Sequence, residues 1–214
     1  MQKRIHKISD DKGVEWKMTK IFFVRYAQPA HSWSDDRTRP LTEEGLRDTN
    51  IVLETLKDKG IDLFFCSPYK RSIDTIAETA QYFQKEIITD ERFREREKGP
   101  EGNVLGMFQK RWADHFYHED GGESINMVQE RNMEALKGIL EKYPDKTIVV
   151  GTHGTALSTI INYYDPEFGC DEFLRIIDWM PYIVELDFEN GKLIQKIEHC
   201  HIYKEFKGIA RADK

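Results

Sequence analysis

The hydrophobic positions of this chain fall into short continuous runs separated by amphipathic stretches, the pattern of buried strands alternating with helices. Ile21, Phe22, Phe23 and Val24 form one such run, rich in β-branched and aromatic side chains and suited to a strand covered on both faces. Residues 61–66 and 147–152 make two more, and Ile87 with Ile88 a shorter one. A helix is expected after the first strand. Thr42 is placed to cap it, Glu43 and Glu44 suit the positive end of its dipole, Leu46, Leu53 and Leu56 lie near one face, and Gly60 ends it. Ser67 and Pro68 open a second helix, whose apolar stripe runs through Ile73, Ile76, Ala77, Ala80 and Phe83. Another, capped by Ser124, carries Val128, Ala135, Leu136, Ile139 and Leu140 and closes at Tyr143 and Pro144. A short helix, GTALSTIINYY, follows His153.

The repeated strand-to-helix order predicts a mostly parallel sheet between two helical layers, a three-layer α/β/α sandwich. Residues 182–187 and 192–198, joined by Glu189, Asn190 and Gly191, read as a hairpin that adds an antiparallel element at the sheet edge. One domain is expected over residues 18–214, preceded by a polar extension, 1–17, that lacks periodicity. An insertion is expected near 90–123, mostly helical, with a short helix around 107–118.

Composition narrows the function without naming it. With 214 residues, 39% of them hydrophobic, the chain can bury one sizeable core. A net charge of -6 and the lack of a long basic cluster argue against nucleic acid, so any anion site must be local. No apolar stretch approaches the length of a membrane span, and residues 1–17 lack the apolar core of a signal peptide, so no membrane association and a cytoplasmic location are expected. Cys66, Cys170 and Cys200 are odd in number and widely spaced, which suits reduced thiols. Oligomeric state is left open.

Arg25 and Tyr26 follow directly on the first strand and His153 on the run TIVVGT, so all three are delivered to the carboxyl end of a sheet, where open α/β folds bind ligands. Arg71 stands near the start of the second helix. The segments KIFFVRYAQPAHS, DDRTRPLTEEG, SPYKRSIDTIAETA, RFRERE and GTHG occur in that order. Together they make the sequence resemble the histidine phosphatase superfamily, the phosphoglycerate mutase-like group, over about residues 19–197. The resemblance implies that group's fold and a metal-independent phosphomonoesterase without a cofactor, acting on a phosphorylated small molecule.

It also implies roles. Arg25 and Arg71 would clamp the phosphoryl group through bidentate hydrogen bonds, and His153 would donate to a phosphoryl oxygen. Glu95 would be the proton donor to the leaving group, although its charged neighbours Glu91, Glu97 and Glu101 leave that assignment open. The GGES turn and Arg131 also resemble the family, without an assigned role. In the family the strand ends in Arg-His-Gly or Arg-His-Ala, and the histidine is the nucleophile; here Tyr26 takes its place, completing a catalytic set of Tyr26, Glu95 and His153. An imidazole is largely neutral and nucleophilic near pH 7, whereas an ordinary phenol is only about one part in a thousand ionised. Little or no turnover is therefore expected. The alternative is an inactive pseudophosphatase that binds a phosphorylated ligand or partner.

Other groupings carry less. His115, His118, Glu119 and Asp120 lack the spacing of a zinc helix, and a surface helix end explains them better. VVGTHGT lacks the lysine and spacing of a nucleotide loop. Trp112, Phe116, Tyr117, Trp179 and Tyr182 could line a cleft, and core packing or a partner surface explains them equally well.

Overall fold

The structure, a computed structural model, describes residues 18–100, 102–104 and 106–205; the expected extension at 1–17 and Glu101 lie outside the described residues. Among the described residues, six strands form one sheet: β1 (Met18–Arg25), β2 (Leu63–Cys66), β3 (Ile87–Thr89), β4 (Thr147–Thr152), β5 (Trp179–Glu189) and β6 (Lys192–Tyr203). Their spatial order is β3-β2-β4-β1-β5-β6. The first four run parallel, whereas β5 pairs antiparallel with β1 and β6 antiparallel with β5 at the edge.

Both faces of the central strands are buried because β1 and β4 alternate between two cores. Ile21 and Phe23 of β1 join one core with Ile148 and Val150 of β4, while Phe22, Val24 and Val149 join the other. Each large side chain fully buried in this way contributes about 1.5–3 kcal/mol. The second core is closed by α1 (Glu43–Leu56) and α2 (Lys70–Tyr82). The first is closed by α3 (Met107–Ala113), α4 (Ile125–Lys142), α5 (Gly154–Tyr164) and α6 (Cys170–Ile176). This is the three-layer α/β/α arrangement the sequence predicts.

Two expected caps are present. The Thr42 hydroxyl accepts from the Gly45 N–H at 2.9 Å, and the Ser124 hydroxyl accepts from the Met127 N–H at 3.1 Å. Each such cap contributes about 1 kcal/mol. The hairpin also forms, with strands longer than expected, and Asn190 and Gly191 turn it with φ of 49° and 78°.

Three expectations need correction. Leu46 is 53% exposed, and α1 instead buries Gly45, Thr49, Val52 and Leu56. The helix is rolled because Gly45 lies directly on the loop after β1, where a Cβ would stand 2.3 Å from the Gln28 carbonyl oxygen. Ala77 likewise faces outward. The insertion is not mostly helical: between 90 and 123 the described residues contain one 3-10 turn, Glu91–Phe93, and the seven-residue α3. Its backbone is held instead by arginine and glutamate side chains, so it needs no continuous helix. Among the described residues, no helix is long and apolar enough to cross a membrane.

Candidate active site

The register of the central strands brings the candidate residues together. Arg25 pairs with Thr152 across β1 and β4, so Tyr26 and His153 leave adjacent parallel strands side by side. The Tyr26 N–H continues the ladder to the Thr152 carbonyl at 3.3 Å. Arg71 arrives from the first turn of α2, which follows β2. These strand ends open into a cavity of about 340 Å³, whose wall includes Arg25, Tyr26, Arg71 and Glu95.

Both expected phosphate-binding arginines are buried, each 2% exposed. Arg25 donates from Nη1 to the Ile176 carbonyl at 2.6 Å and from Nη2 to the Ile177 carbonyl at 3.0 Å, so its orientation depends on the end of α6. Gly154 makes room for it, since a Cβ there would lie 3.3 Å from Arg25 Cζ. Arg71 donates to the Asp36 carbonyl from Nη1 and to Asp36 Oδ2 from Nη2, at 2.5 and 3.3 Å. The Tyr26 ring lies close to both guanidiniums, its centroid 5.5 Å from Arg25 Cζ and 4.8 Å from Arg71 Cζ.

His153 is near this group but does not line the cavity. It is 0% exposed, packed edge-on against Tyr26 and Tyr69 with centroids 5.3 and 5.0 Å away. Its Nε2 lies 2.7 Å from the Ser67 hydroxyl. Burial, and then the charges of Arg71, Arg131 and Arg25, push its pKa well below the usual imidazole value, so it is neutral.

Glu95 reaches the cavity wall, with Oε1 accepting from the Arg96 N–H at 2.8 Å and Oε2 from the Thr155 N–H at 3.2 Å in the first turn of α5. The competing carboxylates are placed differently. Glu91 pairs with Arg37 at the surface, and Glu97, although on the cavity wall, is exposed. The GGES turn supplies the support. Glu123 accepts from Arg94 and Arg131 and from the Glu97 N–H, while Arg131 also donates to the carbonyls of Arg92, Arg94 and Glu95. Burial opposes ionisation of Glu123, yet its hydrogen bonds from Arg131 and Arg94 outweigh that and hold its pKa at about 2. Glu119 is held at about 2 against the same burial penalty by Arg96 and Arg111. Its oxygens are therefore occupied by arginines, and His115 packs on Trp112.

Sequence reasoning missed much of the cavity's charge. Among the described residues, seven cationic side chains line it against three carboxylates, and Arg37, Arg39, Arg94, Arg96 and Lys98 join the two expected arginines. The available signal was their position, in the loop before α1 and in or directly after the RFRERE run. None of the five aromatic residues weighed for a cleft lines the cavity: Trp112 and Tyr182 are core residues, as their other reading had it, and Trp179 stacks on His201. The Tyr and Phe side chains on the cavity wall are Tyr26, Tyr69, Phe108 and Phe173. A concave surface with this excess of guanidinium groups favours a compact anion.

PhoE of Bacillus subtilis (strain 168), described as an uncharacterized phosphatase, is 32% identical over 132 residues, covering 60% of this chain and 67% of its own. Phosphoserine phosphatase 1 of Hydrogenobacter thermophilus is 26% identical over 150 residues, covering 64% and 71%. The solved structure of mycobacterial hydrolase 1 superposes with a TM-score of 0.73 at 15% identity, covering 86% of this chain and all of the other, a likeness of fold. Residues 21–194 match the family model for branch 1 of the histidine phosphatase superfamily, and the chain belongs to that superfamily.

Proposed function

We propose that the cavity binds a phosphorylated small molecule as a histidine-phosphatase-type phosphomonoesterase site, with turnover impaired because Tyr26 replaces the nucleophile. The observation that carries this reading is the pair of buried guanidiniums, Arg25 and Arg71, that line a cationic cavity, both within 5.5 Å of the Tyr26 ring centroid. A phosphate monoester carries close to two negative charges near neutral pH, and guanidiniums fixed in advance stabilise that charge as it redistributes during transfer. Glu95 is the proton donor to the leaving oxygen, and His153 contributes a hydrogen bond to the phosphoryl group once the ring that covers it is displaced. Relatives that carry the names of phosphatases support hydrolysis as the reaction type. No metal or cofactor takes part in this reading.

The same observation favours a second reading, a pseudophosphatase that holds a phosphorylated ligand without hydrolysing it. The test is turnover of a generic aryl phosphate by the chain and by its Tyr26→His and Arg71→Ala variants, beside the shift in melting temperature on adding inorganic phosphate. Turnover that Arg71→Ala abolishes supports the enzyme. A phosphate-dependent rise in melting temperature without turnover supports the binding protein, and neither response in any variant removes both.

A further inference from the structure

The cavity already contains an anion of its own. Asp36 reaches in from the loop before α1 and presents both carboxylate oxygens to guanidiniums that line the cavity: Oδ1 lies 2.6 Å from Arg39 Nη1 and Oδ2 3.3 Å from Arg71 Nη2. Its backbone carbonyl accepts a further bond from Arg71. The turn that presents Asp36 is built independently of these contacts. Asp35 accepts from the Arg37 N–H at 3.0 Å and from the Thr38 hydroxyl at 2.7 Å, Trp33 Nε1 donates to that hydroxyl, and the Arg37 carbonyl accepts from the Lys70 N–H beside α2. Asp36 is thus held in place by its neighbours, and its own carboxylate is spent on Arg39 and Arg71.

We propose that Asp36 is an internal competitor for the phosphoryl seat, an affinity- and selectivity-determining residue that a ligand must displace from Arg71 and Arg39. The inference rests on the reading of the cavity as a phosphate site. The Asp36 carboxylate engages Arg71 through one oxygen, at Nη2, and a phosphoryl group that takes the guanidinium in the two-pronged way needs that same N–H, so the two compete for it. Ligands with a single weak acceptor exchange poorly against Asp36. A dianionic phosphoryl group, with three acceptor oxygens and twice the charge, displaces it. The side chain has the freedom this requires, since Asp36 is 36% exposed whereas Arg71 is 2% exposed.

The test is calorimetric titration of inorganic phosphate into the full chain and its Asp36→Asn, Asp36→Ala, Glu97→Gln and Arg71→Ala variants, after their melting curves show that all are folded. Glu97→Gln removes the same unit of charge from the same cavity wall without freeing Arg71. Both Asp36 variants are expected to bind phosphate more tightly by about threefold to tenfold, and Glu97→Gln by no more than about twofold. Unchanged or weaker binding by both Asp36 variants overturns the proposal, and so does an equal gain in Glu97→Gln, which would mark a general field effect. If Arg71→Ala binds phosphate as well as the parent chain, or nothing binds, the phosphate reading falls and takes this inference with it. Loss of binding in Arg71→Ala without a gain from Asp36 removes the competition alone.

Discussion

The rings of Tyr26 and His153 meet in a T-shaped contact, with centroids 5.3 Å apart and planes at 62°. On the reading proposed above, Tyr26 stands in the nucleophile's place and, with Tyr69, packs against the histidine proposed to touch the phosphoryl group, so one substitution bears on both.

Tyr26→His should restore activity. The smaller ring frees space beside Arg25 and Arg71 and supplies a nitrogen able to attack phosphorus. The N–P bond forms as the ester P–O bond breaks, Glu95 gives the leaving oxygen its proton, and water then releases phosphate from the imidazole. Aryl phosphate turnover is expected to rise by about 100-fold or more, with a phosphohistidine adduct visible by mass spectrometry after rapid acid quench. A folded variant with neither adduct nor turnover would sink the expectation.

Arg71→Ala removes a charged donor from the cavity floor, and hydrogen bonds of that type are worth about 1.5–3 kcal/mol. Phosphate affinity should fall by about tenfold or more, the equivalent of the lower end of that range. Isothermal titration measures it. Affinity within a factor of about two of the parent would mean that phosphate binds without Arg71.

These residues show which parts of the site a sequence can reveal. The strand runs end where residue type changes, so Arg25, Tyr26 and His153 were placed at strand ends from local pattern alone, and β4 runs as expected over Thr147–Thr152. Arg71 and Glu95 came from the family resemblance, and both reach the cavity. The hidden parts depend on contacts between segments far apart in sequence. Arg25 is aimed by carbonyls about 150 residues away at the end of α6, a helix too short to announce itself by periodicity. Leu46 was misplaced because one glycine's close approach to Gln28 rolls α1, and the amphipathic pattern is insensitive to that contact.

Glu123→Gln should loosen the loop that carries Glu95. It breaks the carboxylate's pairs with Arg94 and Arg131 and leaves those guanidiniums partly unmatched, at a cost of about 3–5 kcal/mol. The pKa of about 2 gives this loss a pH signature. The folded pKa lies below the ordinary glutamate value, so the pair's contribution is complete above about pH 4.5 and is lost as pH falls toward 2. The stability gap between parent and variant, measured by urea unfolding, should therefore narrow over that window. A gap that stays constant down to pH 3 would refute the assignment.

His153 makes the opposite kind of site, a base held neutral. Its folded pKa lies well below the usual value because it is buried and faces Arg71, Arg131 and Arg25. The unfolded chain takes up a proton near pH 6.5 that the folded chain refuses, so more protons are bound in the unfolded state and stability falls as pH drops below that value. One such proton changes stability by at most about 1.4 kcal/mol per pH unit. His153→Gln removes the titrating group while keeping a polar side chain near Ser67. The variant will be less stable at pH 7, where it forfeits the packing against Tyr26 and Tyr69 and the contact with Ser67. Groups that titrate in both proteins cancel in the difference, so the gap should shrink by about 1–2 kcal/mol between pH 7 and pH 5. Urea unfolding at the two pH values measures it. A gap independent of pH would mean that His153 takes up a proton in the folded chain, and its neutrality would have to be abandoned.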